Sequence, residues 1–324
     1  MTAYTDFVVS GCAMTRFDQI SDPFRLALEE ALNSILSDCS ANGDAFSEAL
    51  RYSVLNGGKR LRPLMTLMAA GSFDSENLDA LDAACAVEMV HAASLIVDDL
   101  PSMDDAQTRR GRPANHLVHG EPTAILASIA LMNQAFNVVA RSERLSPEKR
   151  LAIVEVLSRS VGPMGLAGGQ NMDLTARAGP LGEHDPEAVN HAKTGVLFVA
   201  ALEIGAICAN IRDARLSAFR EFGRNFGQAY QLLDDFIDVY GDSEAAGKDV
   251  GKDDDRVTVA SKMGTDYALQ KARSHILSML RAAAPMGPQG RHFRSLLSWL
   301  LNGHLPKISA NKELLELQAR IESA

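Results

Sequence analysis

The 324-residue chain is 46% hydrophobic and only 6% aromatic, which fills a substantial aliphatic core and allows two average domains or one large helical one. A formal net charge of −9 excludes nucleic acid as the main partner, because a phosphate backbone demands basic surface. The four cysteines, Cys12, Cys39, Cys85 and Cys208, are scattered and form no CxxC pair, which excludes a zinc site and a disulfide framework and suits a reducing, cytoplasmic setting.

Residues 1–13 carry little helical pattern, and 1–18 read as a poorly ordered N-terminal extension, with Met14 a candidate alternative start. No basic, apolar leader opens the chain, and no segment reads as a bilayer span. Ser21-Asp22-Pro23 has the form of a helix opening. Beyond it nearly every segment repeats apolar residues at i, i+3, i+4 and i+7, so helices are expected over about 23–40, 44–55, 62–72, 76–98, 120–141, 147–160, 163–175, 186–209, 212–241, 257–283, 289–302 and 310–322. Breaks fall at Gly57-Gly58, Gly111-Arg112-Pro113, Gly179-Pro180 and from Gly241 through Asp255. Alternating strand patterns are absent, and so is a linker that would divide two cores. The expectation is one all-α domain over residues 19–324.

Chemistry concentrates where apolar helices end. Asn56-Gly57-Gly58-Lys59-Arg60-Leu61-Arg62-Pro63 sets three cations behind a glycine pair that turns the chain sharply. The helix over 76–98 runs into Asp98, Asp99, Asp104 and Asp105, with Arg109-Arg110-Gly111-Arg112 close behind. A strict helix would set Asp98 and Asp104 apart, so the break at Pro101 has to bring them together. A second acidic group, Asp234-Asp235-Phe236-Ile237-Asp238, ends the helix over 212–241, with Asp234 and Asp238 on one face and Gln231 a turn earlier. Carboxylates at the ends of core helices need a strongly positive partner; Mg2+, which bridges carboxylates to phosphate oxygens, is the natural one. The plainer reading of a single such cluster is a solvated helix end, and two of them make that reading weak. Lys59, Arg62 and Arg110 suit a diphosphate held without metal, since the arginine fork matches phosphate oxygens; Arg60 and Arg112 read more simply as helix-end charge. Gly168-Gly169-Gln170-Asn171-Met172-Asp173, Lys193-Thr194-Gly195 and the charged loop 247–253 add polar groups that carry little weight singly.

Taken together these residues resemble the trans-isoprenyl diphosphate synthase, or polyprenyl synthetase, family. The resemblance covers roughly residues 45–265 in order, through GGKRLRP, DDLPSMDDAQTRRGRP, GGQNMD, KTG and QLLDDFID…GK. It implies an all-α isoprenoid synthase fold around a central cavity, a homodimer, and Mg2+-dependent head-to-tail condensation of isopentenyl diphosphate with an allylic diphosphate. By that resemblance Asp98 and Asp104 ligate two Mg2+ ions and Asp234 a third, supported by Asp99 and Asp238. Arg109, Lys193 and Lys248 hold the allylic diphosphate; Lys59, Arg62, His91 and Arg110 hold isopentenyl diphosphate. Thr194 and Gln231 turn oxygens toward the allylic cation. Two departures stand out: Tyr230-Gln231 replaces the family's Phe-Gln, and Arg256-Val-Thr258-Val259 replaces its Lys-x-Thr-Tyr.

The growing chain is expected to run back along the helix before Asp98, past Ser94, Ala93 and Val90, with Met89 deeper. Farnesyl-forming relatives often carry an aromatic at the place of Ala93, so small residues there point to a C20 product, geranylgeranyl diphosphate, with C15 and C25 as the alternatives. A terpene cyclase would need a different second metal motif, a phytoene-type head-to-head synthase would not need the basic GGKRLRP site, and an inactive regulatory subunit would have lost metal ligands.

Overall fold

The computed structural model describes residues 15–39, 44–178, 186–240 and 264–304, excepting a few side chains at segment ends, those of 235–240 among them. A capping box opens the first helix: the Asp18 amide donates to the Thr15 hydroxyl at 3.2 Å, and the Thr15 amide to the Asp18 carboxylate at 3.2 Å. Helix α1 (Arg16–Asp38) therefore starts ahead of the expected opening at Pro23, which lies inside it. The reciprocal cap satisfies two orphan amides, against the single backbone bond that proline removes. Residues 16–18 thus belong to the helix, with Thr15 as its cap, and 1–14 lie outside the described residues.

Next come α2 (Ala45–Val54), α3 (Leu61–Ala69), the single turn α4 (Ser72–Ser75) and α5 (Leu81–Asp98). Helix α5 starts later than its apolar pattern suggests, because Asn77 turns the chain by accepting from the Asp79 amide at 2.6 Å. Beyond the first acidic motif lie α6 (Asn115–His119), α7 (Glu121–Arg141), α8 (Pro147–Val161) and α9 (Leu166–Ala178). The helix expected over 186–209 is three pieces: α10 (Pro186–Asn190), a π-helical turn His191–Gly195, and α11 (Val196–Cys208). Then follow α12 (Asp213–Tyr240), α13 (Thr265–Ala283), a 3-10 turn Ala284–Gln289 and α14 (Gly290–His304). The expected helix over 310–322, the loop 247–253 with Lys248, and Arg256 lie outside the described residues.

Helices α5 and α11 are apolar on nearly every side and form the centre. Helix α5 packs on α7, α3 and α1, and α11 on α12, α3 and α8. The all-α expectation holds, with one local exception. Thr108–Arg109 pairs antiparallel with Arg112–Pro113 in a minimal hairpin, because Arg110 and Gly111 both take positive φ (55° and 74°), the geometry of a type I′ turn. One correction concerns membranes. Glu121–Arg141, Pro147–Thr175 and Glu187–Cys208 are long and apolar enough to cross a bilayer by length and composition. These segments mix alanines and aliphatics with scattered polar groups, so they average apolar without holding a long unbroken apolar run.

Candidate active site

Three backbone devices build the site. At the end of α5 the chain doubles back: the Asp104 amide donates to the Asp98 carbonyl at 2.9 Å and the Ala106 amide to the Asp99 carbonyl at 3.2 Å. Pro101 sits in this return, which sets Asp98 and Asp104 side by side where a straight helix would splay them. Burial pushes the Asp98 carboxyl up to about 6, with repulsion from Asp104 adding and Lys193 opposing. A cation placed between these carboxylates relieves that repulsion, so the residues fit Mg2+. Among the described residues no three acidic, histidine or cysteine side chains converge enough to hold a metal alone.

The hairpin is the second device. Its turn sends two consecutive arginines to different places. Arg109 forks onto Asp99, Nε donating at 2.9 and 3.1 Å and Nη2 also donating to Oδ1. Burial pulls the Arg109 guanidinium down in pKa, but the Asp99 carboxylate outweighs it and holds the group above its ordinary value. Asp99 is itself buried, and its carboxylate is engaged by this arginine. Arg110 instead reaches the glycine loop, donating from Nη1 to the Gly57 carbonyl.

The π-helical turn is the third device, and it joins the two acidic motifs. Lys193 Nζ lies 2.8 Å from Asp173 Oδ2 and 3.7 Å from Asp104 Oδ2. The next residue, Thr194, donates from Oγ1 to Gln231 Oε1 at 3.4 Å, and Asp234 is one turn further along α12. Two glycines let the helices approach: a Cβ on Gly169 of α9 would lie 2.5 Å from the Lys193 amide nitrogen, and one on Gly227 of α12 would lie 2.6 Å from Gly195 Cα. The backbone of Asp238 lies on α12, but its side chain is outside those described.

Opposite lies a wall of cations. Arg62 stacks on Phe198 (4.1 Å to the ring centroid) and its Nη1 lies 3.4 Å from His91 Nε2. It makes no ion pair among the described residues, and its buried Nε has no hydrogen-bond partner there. Burial lowers its pKa to about 10 and, with Arg62 and Arg110 nearby, drives His91 well below its ordinary value. At neutral pH Arg62 is therefore charged and His91 neutral. Burial also lowers Arg110. Lys59 Nζ stands 5.7 Å from the Tyr230 ring centroid and 5.6 Å from that of Trp299, so the Tyr230 substitution packs against a predicted binding lysine.

On α5 behind the acidic return, Met89, Val90 and Ala93 are fully buried. Ser128 of α7 donates to the Ala93 carbonyl at 2.9 Å, and the Ser94 hydroxyl bonds back to the His91 carbonyl. The helix face expected to accommodate the product thus meets α7.

The polyprenyl synthetase family profile matches residues 44–285. The chain belongs to the polyprenyl synthetase family. It is 39% identical over 286 residues to the geranylgeranyl diphosphate synthase of Pseudescherichia vulneris, covering 87% of this chain and 91% of that one. It is likewise 39% identical over 238 residues to the farnesyl diphosphate synthase of Haemophilus influenzae, covering 72% and 80%. A crystal structure of a Helicobacter pylori geranyltransferase complexed with magnesium and isoprenyl diphosphate superposes with a TM-score of 0.74 at 27% identity, covering 90% of this chain and 98% of that one. This polyprenyl synthetase is a prenyltransferase, and its family generally uses Mg2+. Sequence reasoning gave no role to Asp173, although it sits in the quoted GGQNMD. It also read Arg60 as helix-end charge. Arg60 is in fact buried between Glu88 and Glu29, and Glu88 was signalled only by being the one carboxylate in the otherwise apolar stretch 83–90.

Proposed function

We propose that this prenyltransferase condenses isopentenyl diphosphate head-to-tail with allylic diphosphates from C5 to C15, that geranylgeranyl diphosphate (C20) is its product, and that it works as a homodimer with three Mg2+ ions per site. Arg62 carries the reading: a buried guanidinium without an acidic partner among the described residues, beside a neutral histidine and a second arginine, is prepared for an anion. The acidic return and Asp234 supply the complementary feature for a diphosphate that arrives with cations.

Asp98 and Asp104 would hold two Mg2+ ions and Asp234 the third, supplying neutralisation of the departing diphosphate. Lys193, already between Asp104 and Asp173, directs its ammonium at the same leaving group, with Arg109 fixed beside it by Asp99 and Lys248 as the third contact. Stabilisation of charge that develops only as the bond breaks lowers the barrier. The Thr194 hydroxyl and Gln231 amide oxygen offer lone pairs to the allylic cation, and the aliphatic interior keeps water from capturing it. Lys59, Arg62, His91 and Arg110 orient isopentenyl diphosphate so that its double bond attacks. The released diphosphate takes the final proton, so no protein nucleophile is needed.

The small side chains at Ala93 and Ser94 support C20. Exposed Leu117, Val118, Ile125, Leu126 and Ile129 on α6 and α7 support the dimer. Purified protein given labelled isopentenyl diphosphate, a C5, C10 or C15 primer and Mg2+ should yield a C20 diphosphate by mass spectrometry. Arrest at C15 would overturn the length while keeping the reaction; no elongation from any primer would overturn the reaction in favour of an inactive subunit or a cyclase.

A further inference from the structure

Glu88 lies in α5 one turn before His91 and is 1% exposed. A carboxylate in such a place is costly unless paired, and Glu88 is paired twice. Arg60 donates to it from Nη1, and Arg110 Nη2 stands 3.6 Å away. The two arginines differ in kind. Arg60 is enclosed, its remaining donors satisfied by Glu29 at 2.7 and 3.2 Å and by the Val54 carbonyl at 2.6 Å. Arg110 has been assigned to isopentenyl diphosphate and keeps 19% of its side chain open.

Both arginines sit at left-handed backbone positions, φ 51° and 55°, which non-glycine residues hold only when their surroundings enforce it. Arg60 ends the GGKR loop and Arg110 occupies the hairpin turn. The loops touch directly: Arg110 donates to the Gly57 carbonyl, and a Cβ on Gly58 would lie 2.8 Å from Arg110 Cζ. One carboxylate therefore ties the hairpin that carries Arg110 to the loop that carries Lys59 and leads into Arg62 of α3.

We propose that Glu88 is a positioning residue for isopentenyl diphosphate: its buried carboxylate, shared by Arg60 and Arg110, sets the spacing between the GGKR loop and the hairpin and aims Arg110 at the diphosphate. This rests on the proposed condensation. Glu88 touches no reacting atom, and it acts on one substrate only, because Arg109 is held by Asp99, and Lys193 by Asp173 and Asp104, instead.

The test is steady-state kinetics of Glu88→Gln, Arg110→Ala, the double variant and Glu29→Gln, alongside wild type. Loss of a charge-assisted contact predicts a KM for isopentenyl diphosphate about tenfold higher in Glu88→Gln, with the KM for the allylic primer within about twofold. The double variant should match Arg110→Ala alone, since the effect passes through that arginine. Glu29→Gln, which removes the other carboxylate from Arg60, should lower Tm and leave both KM values in place. If Glu88→Gln does not fold, Glu88→Asp keeps the charge, shortens the reach, and should show the same selective rise. Unchanged KM values, equal rises for both substrates, or additivity with Arg110→Ala would overturn the inference while leaving the condensation intact. Wild type that neither elongates a primer nor binds isopentenyl diphosphate by calorimetry would overturn both.

Discussion

Lys193 is the residue on which the acidic site turns, because its ammonium meets Asp104 and Asp173 from the turn that also presents Thr194. Lys193→Ala should lower kcat by about 10²–10³ with a smaller effect on KM, as for loss of one preorganised electrostatic contact; a changed KM with intact kcat would show ground-state binding only. Ala93→Phe is expected to shift the product from C20 to C15, read by mass spectrometry, and unchanged C20 would remove Ala93 from length control. The sequence announced Asp98, Asp104 and Asp234, because a carboxylate at the end of a core helix is costly without a cation beside it. The separate roles of Arg109 and Arg110 came from the family resemblance and not from their spacing, which gives no reason for them to diverge. Adjacent in sequence, they part only because a two-residue turn takes positive φ, and a sequence that reads Arg-Gly there signals a break without its handedness.

Among the elements, most helix bounds were legible from the 3.6-residue period, while the π-helical turn was not: it interrupts a run whose apolar spacing continues across it. The hairpin was hidden because two paired residues per strand are too few for alternation to register. Helices α8, α11 and α12 meet at a buried carboxylate, Glu203, which accepts from Arg220 at 2.5 Å and Arg159 at 3.0 Å. Burial raises the Glu203 pKa, but the two arginines outweigh it and hold the group below the usual range. A depressed carboxylate stabilises the fold above its unfolded pKa of about 4.3 and loses that contribution as pH falls through the lower folded value. Glu203→Gln should therefore lose about 1–2 kcal/mol at pH 7, allowing for the exposure of both arginines, and its Tm should fall less steeply than wild type below about pH 4. Parallel Tm–pH curves would show that the triad contributes nothing through its charge.

At the scale of the whole molecule the outstanding feature is a surface that reads as core in the sequence. Helix α7 buries Ala124, Ala127, Leu131, Ala135 and Val139 against α5 and its neighbours, yet Ile125, Leu126 and Ile129 are 43, 56 and 54% exposed on its other side. Leu117 and Val118 of α6 extend the strip. Periodicity cannot distinguish a helix buried by its own chain from one waiting for a second copy, since both are apolar all round. An apolar strip of this kind marks an association surface, and in the proposed homodimer a second copy would cover it by presenting the same face. Helix α7 also carries Ser128, bonded to Ala93, so pairing through α7 would brace the wall behind the acidic motif. Leu126→Asp with Ile129→Asp should convert the dimer to monomer in light scattering at micromolar concentration, with helical circular dichroism retained. The monomer should keep measurable turnover but lose product-length fidelity as the braced wall loosens. A wild-type protein already monomeric at that concentration would overturn the proposed dimer, and a double variant that stays dimeric would move the interface elsewhere. A monomer with unaltered product distribution would show that α7 holds Ala93 in place unaided.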